Sequence, residues 1–183
     1  FYDVPALARE QKKGVEEAAR EARKDAFQRA FEEFSIRKSG KWTEGACVAL
    51  AHNREDLAET MLHNLARGTG LRGLSTMRPT GDGIIRPVLC LGREEIAEYA
   101  KKHGIVSVTD STNLSDAYTR NRIRHHILPA LQQEVNVRAA EHMAQTAVWA
   151  AQAEDYLSRQ GAKLLAQTSQ EDGSYLLDED FWS

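Results

Sequence analysis

The chain has 183 residues, 24 lysines and arginines against 27 aspartates and glutamates, a formal net charge of -3 and 42% apolar residues. That length holds one good-sized domain, or one domain with an appendage. No apolar run is long enough to span a bilayer, and FYDVPALARE lacks the basic-then-apolar pattern of a signal peptide, so the chain reads as cytoplasmic, with no membrane partner.

Taken in chain order, Asp3-Val4-Pro5 reads like the end of a strand leading into a helix, and with no Met at the start, further sequence is expected upstream. Pro5 suits the first turn of a short helix ending near Lys13-Gly14, with Gly14 as its left-handed cap. Val15 to Phe34 is rich in Glu, Ala, Lys and Arg, and Ala18, Ala22, Phe27, Ala30 and Phe34 make the stripe of an amphipathic helix. Ser39-Gly40-Lys41 is a turn, and the apolar run Ala46 to Ala51 is expected as a short buried strand. A helix from about Arg54 to Arg67 stops at Gly68.

Ile84 to Leu89 reads as another short strand, at an edge or an end because of Pro87. Arg93 to His103 is a helix capped by Gly104, Ile105 to Val108 is extended, and Asp110-Ser111-Thr112-Asn113 is turn and N-cap chemistry. Thr119 to Leu128 is a helix reaching Pro129 and resuming beyond it. Asn136 then caps a long helix with Met143, Ala147, Ala150, Leu157 and Leu164 as its inner stripe. Gln170 to Ser174 is a turn, and Tyr175-Leu176-Leu177 begins a strand or a contact. Strands alternating with helices indicate an α/β fold with a parallel sheet, followed after about Val135 by a purely helical part. Cys47 and Cys90 both lie in strand-like apolar runs and are expected as buried reduced thiols, with neither a disulfide nor zinc.

Three segments hold candidates for chemistry. In AHNREDLAETMLHNLARGTGLRGL, the residues His52, Asp56, Glu59 and His63 follow at spacings of four, three and four, which on a helix is one face. The carboxylates suit an ammonium group or a magnesium ion, and His52 suits a phosphate or a base edge. Equally, Asp56 and Glu59 favour a helix N-terminus through its dipole, with His52 a half-buried turn residue. His63 reads as structural. The glycine loop after Arg67 follows a helix instead of preceding one, so Gly68 reads as a C-cap, although Arg67 or Arg72 could still reach an anion. From Ala117 to Gln133 there are three arginines and no acid, while from Gln152 to the end seven acids face Arg159 and Lys163. Within the first of these, Arg120 and Arg124 share a helix face and offer guanidinium forks to phosphates of ATP or RNA. The alternative is a surface helix whose arginines pack on neighbours or pair with Asp110 and Asp116.

These segments resemble the tRNA(Ile)-lysidine synthetase family of the N-type ATP pyrophosphatase (PP-loop) superfamily. AHNREDLAETMLHNLARGTGLRGL resembles AHHxDDxAETxLxRLxRGxGxxGL, IIRPVLCLGREEIAEYAKKHGI resembles RPLLxxxRxEIxxYxxxxxI, and DSTNLSDAYTRNRIRHHILPAL resembles DxSNxxxxYxRNxIRxxxxPxL, in that order. Gly14 to Arg23 is similar to the family's LEExARxxRY, and together the blocks cover most of residues 4 to 135.

The resemblance implies a Rossmann-like parallel sheet of the adenine nucleotide alpha hydrolase kind. Residues 1–135 would be the C-terminal portion of the PP-loop ATP pyrophosphatase domain, and residues 136–183 a helical linker at the start of the tRNA-binding region. It implies ATP and magnesium as cofactors, lysine and a tRNA(Ile) with a CAU anticodon as partners, and allows a homodimer. In the implied reaction ATP adenylates the C2 oxygen of the wobble cytidine, releasing pyrophosphate, and the lysine ε-amine displaces AMP to give lysidine. By the same resemblance His52, Asp56 and Glu59 fall at catalytic positions, with Asp56 and Glu59 binding lysine or magnesium. Arg23 and Arg120 fall at active-site positions too, and Arg23, Arg67, Arg120, Asn121 and Arg124 are the candidates to bind ATP, phosphate or tRNA, where arginine neutralises charge growing as pyrophosphate leaves.

The chain also departs from the family pattern. The superfamily's SGGxDS loop, which cradles pyrophosphate through backbone N–H groups, is absent from the chain, as is the first strand before it, so an upstream segment carrying them is expected. These residues alone are not expected to bind ATP productively. Glu55 stands for the first Asp of the usual pair, Leu57 for a common Gln and Lys24 for a usual Tyr. Two other readings are a tRNA-thiolating enzyme of the same superfamily and a non-catalytic RNA-binding module that has lost the loop.

Overall fold

The computed structural model describes residues 2–38, 47–81, 83–108, 116, 118–168 and 174. Three two-residue strands, β1 (Val48–Ala49), β2 (Thr80–Gly81) and β3 (Ile84–Ile85), form one small sheet in the order β1-β3-β2 among a larger set of helices. The chain divides into two compact units, Phe1–Val48 with Asp82–Ile85, and Ala49–Gly81 with Arg86–Ser183.

In the first unit, α1 (Val4–Glu10) starts where Asp3 Oδ1 accepts the Ala6 N–H at 3.0 Å, with Pro5 in the first turn where its missing N–H costs nothing. The helix stops earlier than expected and without Gly14. Lys12 takes the left-handed position at φ +53°, its N–H donating to Arg9 O and that of Lys13 to Ala8 O, which closes a Schellman turn two residues before the glycine. In α2 (Val15–Lys38), Ala18 and Ala22 are buried, Phe27 is half-buried and Ala30 is exposed, because the seven-residue α1 packs on only part of this 24-residue helix. The side chain of Phe34 lies outside the description.

The strands are far shorter than the apolar runs that hold them. Pro87 has no N–H for a ladder, and Leu89 and Leu91 donate back to Arg86 O and Val88 O, so the run expected as a strand to Leu89 turns instead. Cys90 at that turn and Cys47 before β1 are exposed free thiols, not the buried ones expected, since neither lies within a covered strand. Ile105 to Val108 forms no strand and is exposed.

The second unit is mostly helical: α3 (Arg54–Ala66), α4 (Leu71–Leu74), α5 (Arg93–Lys102), α6 (Thr119–Arg122), α7 (Leu128–Ala130) and α8 (Ala139–Thr168). Its core is where α3 meets α8. Leu57, Leu89 and Ala147 pack with Met77 and Ala144, and Ala58, Leu128 and Ala140 pack with Leu62 and Met143. The inner stripe of α8 is buried at Ala147 and Ala150 but exposed at Leu157 and Leu164. The reason is length, since 30 residues of α8 run about 45 Å against about 20 Å for the 13 residues of α3.

From Thr119 to Val135 the chain stays helical through Pro129, with no interruption. It does so by widening into two π-helical segments, Ile123–Ile127 and Leu131–Val135, where Leu128 N–H donates to Ile123 O and Asn136 N–H to Leu131 O. A proline that can neither donate nor tolerate the ordinary carbonyl position behind it favours this register. Asn136 does not itself cap α8 but builds the turn ahead of it, its Oδ1 accepting the Arg138 N–H at 2.8 Å and its carbonyl that of Ala139. Among the described residues no helix is long and apolar enough to cross a membrane.

Candidate functional site

The start of α3 fixes the site. Asn53 is extended (φ -109°, ψ -176°), its Oδ1 accepts the Asp56 N–H at 2.9 Å, and Asp56 Oδ2 accepts the Asn53 N–H at 3.0 Å. This reciprocal cap ends the helix at Arg54. His52 therefore lies outside the helix, half-buried in the segment leading to the cap, and does not share the face of Asp56 and Glu59 as the spacing suggested. The cap also orients Asp56, turning Oδ2 to the backbone and leaving Oδ1 for other donors.

Glu59, one turn further along, is fully buried. A buried carboxylate survives only if paired and hydrogen-bonded, and Glu59 is held by three guanidinium groups. Arg124 grips it with both arms, Nε to Oε1 and Nη2 to Oε2, each at 2.8 Å. Arg120 Nε reaches Oε2 at 3.3 Å, and Arg93 Nη2 reaches Oε1 at 3.2 Å. Asp56 Oδ1 takes Arg124 Nη2 at 2.9 Å and Arg120 Nη2 at 3.5 Å. The bond to Glu59 raises the Arg124 pKa above its ordinary value, with burial opposing and the Glu59 and Asp56 charges adding to the rise. Among the described residues the cluster therefore sets Asp56 and Glu59 against three guanidinium groups.

Arg93 comes from α5, whose N-terminus is fastened to that of α3. Arg54 Nη2 donates to Cys90 O at 2.6 Å and to Glu95 Oε2 at 2.9 Å, the Arg54 N–H donates to Leu91 O at 3.0 Å, and Glu55 Oε2 accepts the Arg93 N–H at 2.8 Å. Gly92 lies close against this crossing, where a Cβ would stand 3.1 Å from Glu95 Oε2 and 3.4 Å from Glu55 Oε1.

The site thus gathers Asp56, Glu59, Arg120 and Arg124, and it adds Arg93, which was not singled out. The signal was the second of the family-like blocks, where GREE follows a turn and opens a helix; nothing in it tells that the arginine turns toward Glu59. Asn121 is buried beside Arg120. Arg67 is the exposed C-cap just past the end of α3, eight positions past Glu59 and about 12 Å along the axis. Arg23 is exposed on α2, in the first unit. His63 is half-buried in the last turn of α3. Gly68 ends α3 at φ +79°, as expected, but the glycine segment does precede a helical turn, α4, with Gly70 at its start. Asp116 pairs with His125 and His126, each at 2.7 Å, not with an arginine of the site, while Asp110 lies outside the described residues.

A family model described as the PP-loop domain matches residues 3–131. A tRNA(Ile)-lysidine synthase of Bacteroides thetaiotaomicron is 42% identical over 145 residues, which cover 79% of this chain and 32% of the relative. The synthase of that name from Parabacteroides distasonis is 44% identical over 150 residues, 78% of this chain and 32% of the relative. A more distant one, from Caldanaerobacter subterraneus subsp. tengcongensis, is 34% identical over 171 residues, 93% of this chain and 35% of the relative. The chain spans about a third of the length of the curated relatives it matches.

Proposed function

Since the chain belongs to the PP-loop domain family, an ATP-binding fold of the adenine nucleotide alpha hydrolase kind, we propose that it carries the substrate-facing side of a tRNA(Ile)-lysidine synthase. The full-length protein would join lysine to C2 of the wobble cytidine of a tRNA(Ile) with a CAU anticodon. ATP first adenylates the C2 oxygen with loss of pyrophosphate, and the lysine ε-amine then displaces AMP, giving a C–N bond. The observation that carries this reading is the cluster in which Asp56 and Glu59 meet Arg93, Arg120 and Arg124.

The contact lengths divide the roles. Glu59, with four guanidinium bonds, has no oxygen left for a substrate and serves as the fixed counter-charge that holds the arginines. Arg120, at 3.3 and 3.5 Å, is the loosest of the three and is the arm that turns to phosphate or adenylate. As it leaves, Asp56 Oδ1 opens toward the lysine ammonium. Magnesium does not fit onto these two carboxylates as they stand, and among the described residues no group of three or more His, Cys, Asp or Glu is placed to hold a metal. In this reading the cation arrives with the nucleotide phosphates, its usual partners. His52 lies nearest the start of α3 and is assigned to a polar group of the substrate, with Asn121 supporting Arg120; Arg23 and Arg67 are assigned to more distant phosphates.

The first half of α8 packs on α3, so the linker assigned to residues 136–183 would brace the site as well as lead on to the tRNA-binding region. A homodimer in the cytoplasm belongs to the same reading. The test is AMP release by the full-length protein with ATP, lysine and tRNA(Ile). Pyrophosphate should leave with ATP and the tRNA alone, AMP only once lysine is added, and Asp56→Asn should lower AMP release about a hundredfold at a temperature where the variant is fully folded. AMP release indifferent to lysine would sink the assignment.

A further inference from the structure

We propose that Arg78 is a positioning residue for the RNA substrate: by forking two neighbouring carboxylates of α8, it fixes the direction in which that helix leaves the site. The proposal rests on the reading above only in taking α8 to lead on to the tRNA-binding region. Arg78 Nη1 donates to Asp155 Oδ1 at 2.6 Å and its Nη2 to Glu154 Oε2, while Ser158 Oγ donates to the other oxygen of Glu154 at 3.3 Å. Glu154 and Asp155 are successive residues, about 100° apart around the helix axis. One planar guanidinium that holds both resists rotation of α8 about its axis as well as its swing. The clasp stands where packing gives out. Ala150 is the last buried residue of α8, and past the clasp Tyr156, Leu157, Leu164 and Leu165 are exposed.

A half-exposed ion pair contributes little to stability, so what this one supplies is direction. Arg78 is itself placed from both sides. Before it, Met77 takes the left-handed φ of +52°, uncommon for a residue with a side chain, and packs on Leu57, Leu89 and Ala147. After it, Arg86 holds two successive carbonyls, its Nη1 donating to Arg78 O at 2.7 Å and its N–H to Pro79 O at 2.8 Å. Leu57 follows Asp56 directly on α3, so the fork is referred to the same helix that carries the site carboxylates. From Asp155 to Thr168 the helix runs about 20 Å further, and a small rotation at the clasp grows along that arm. A substrate base misplaced by about 1 Å reacts far more slowly.

The full-length protein tests this in two ways. Nitroxide labels at Lys101→Cys and Ala166→Cys, with the other cysteines replaced by serine, report the α5–α8 distance by pulsed electron resonance; KM values for tRNA, ATP and lysine report the consequence. Arg78→Met should broaden or displace the label distance and raise the tRNA KM about tenfold, with the ATP and lysine KM values within twofold of the parent. Arg78→Lys, which keeps the charge but not the fork, should fall between. Glu154→Gln with Asp155→Asn should reproduce Arg78→Met, and adding the two sets together should cost nothing more. That carboxamide pair also decides the matter if Arg78→Met does not fold. An unchanged label distance, a tRNA KM within twofold of the parent, or an ATP KM that rises equally overturns the proposal. The label distance needs neither substrate nor turnover. A parent protein without lysine-dependent AMP release would therefore refute the synthase reading, and the distances would still decide whether Arg78 directs α8.

Discussion

Glu59 and Asp116 are each held by more than one basic side chain, yet the two arrangements differ in burial and in the chemistry of the partners. Glu59 is fully buried and is held by Arg93, Arg120 and Arg124, which keep their charge at any ordinary pH. Asp116 is exposed, and its partners His125 and His126 are imidazoles, whose charge depends on pH. Burial makes the first arrangement strong in both directions: complete, it locks three helices around one carboxylate; incomplete, it strands unbalanced charge away from water. Solvent makes the second one weak and reversible. A binding site that must hold its shape while charge comes and goes calls for the first kind.

That contrast can be broken at several strengths. The largest effect is expected from Glu59→Ala, which leaves three guanidinium groups facing Asp56 alone and should cost about 3–5 kcal/mol of unfolding free energy in chemical denaturation. A cost below about 1 kcal/mol would mean that water reaches the cluster and the burial argument is void. Arg124→Met should come next. Glu59 keeps Arg93 and Arg120 in that variant, so the loss should be about 1.5–3 kcal/mol, the range for hydrogen bonds to charged groups.

The smallest effect is expected from Asp116→Asn, and it should depend on pH. Hydrogen bonds from His126 and then His125 hold the Asp116 carboxyl below its ordinary pKa. A lowered carboxylate pKa stabilises the fold above the ordinary carboxylate range, and that contribution disappears as the pH falls through the lowered value. The melting temperatures of parent and Asp116→Asn should therefore differ slightly near neutrality and converge in acid. The raised Arg124 pKa works with the opposite sign, being fully effective below the ordinary arginine value and lost only in strong alkali. An Arg124→Met difference that varied between pH 5 and 8 would contradict this.

Much of the site was legible as helix faces. Asp56 with Glu59, and Arg120 with Arg124, are spaced by three and four residues, and local periodicity places such pairs together wherever the helix goes. The N-cap was legible too, but its consequence was not: Asn53 ends the helix there and puts His52 off the face that the spacing gave it. The strand pattern overreached for a similar reason. Apolar runs around Cys47 and Cys90 have the composition of buried strands, but pairing depends on a neighbour and on free N–H groups, and Pro87 withholds one.

By itself, then, the sequence determined the α/β alternation, most helix limits and the two pairs of charges, because these follow from backbone sterics, capping and a period of 3.6 residues. Only the tertiary structure decided that both pairs meet, that Glu59 is sealed from water, and that Arg93 is the third cation upon it. Those contacts join residues 34 to 68 positions apart. They exist because the α3–α8 core and the α3–α5 crossing bring the helices together, a result of packing that no local pattern encodes.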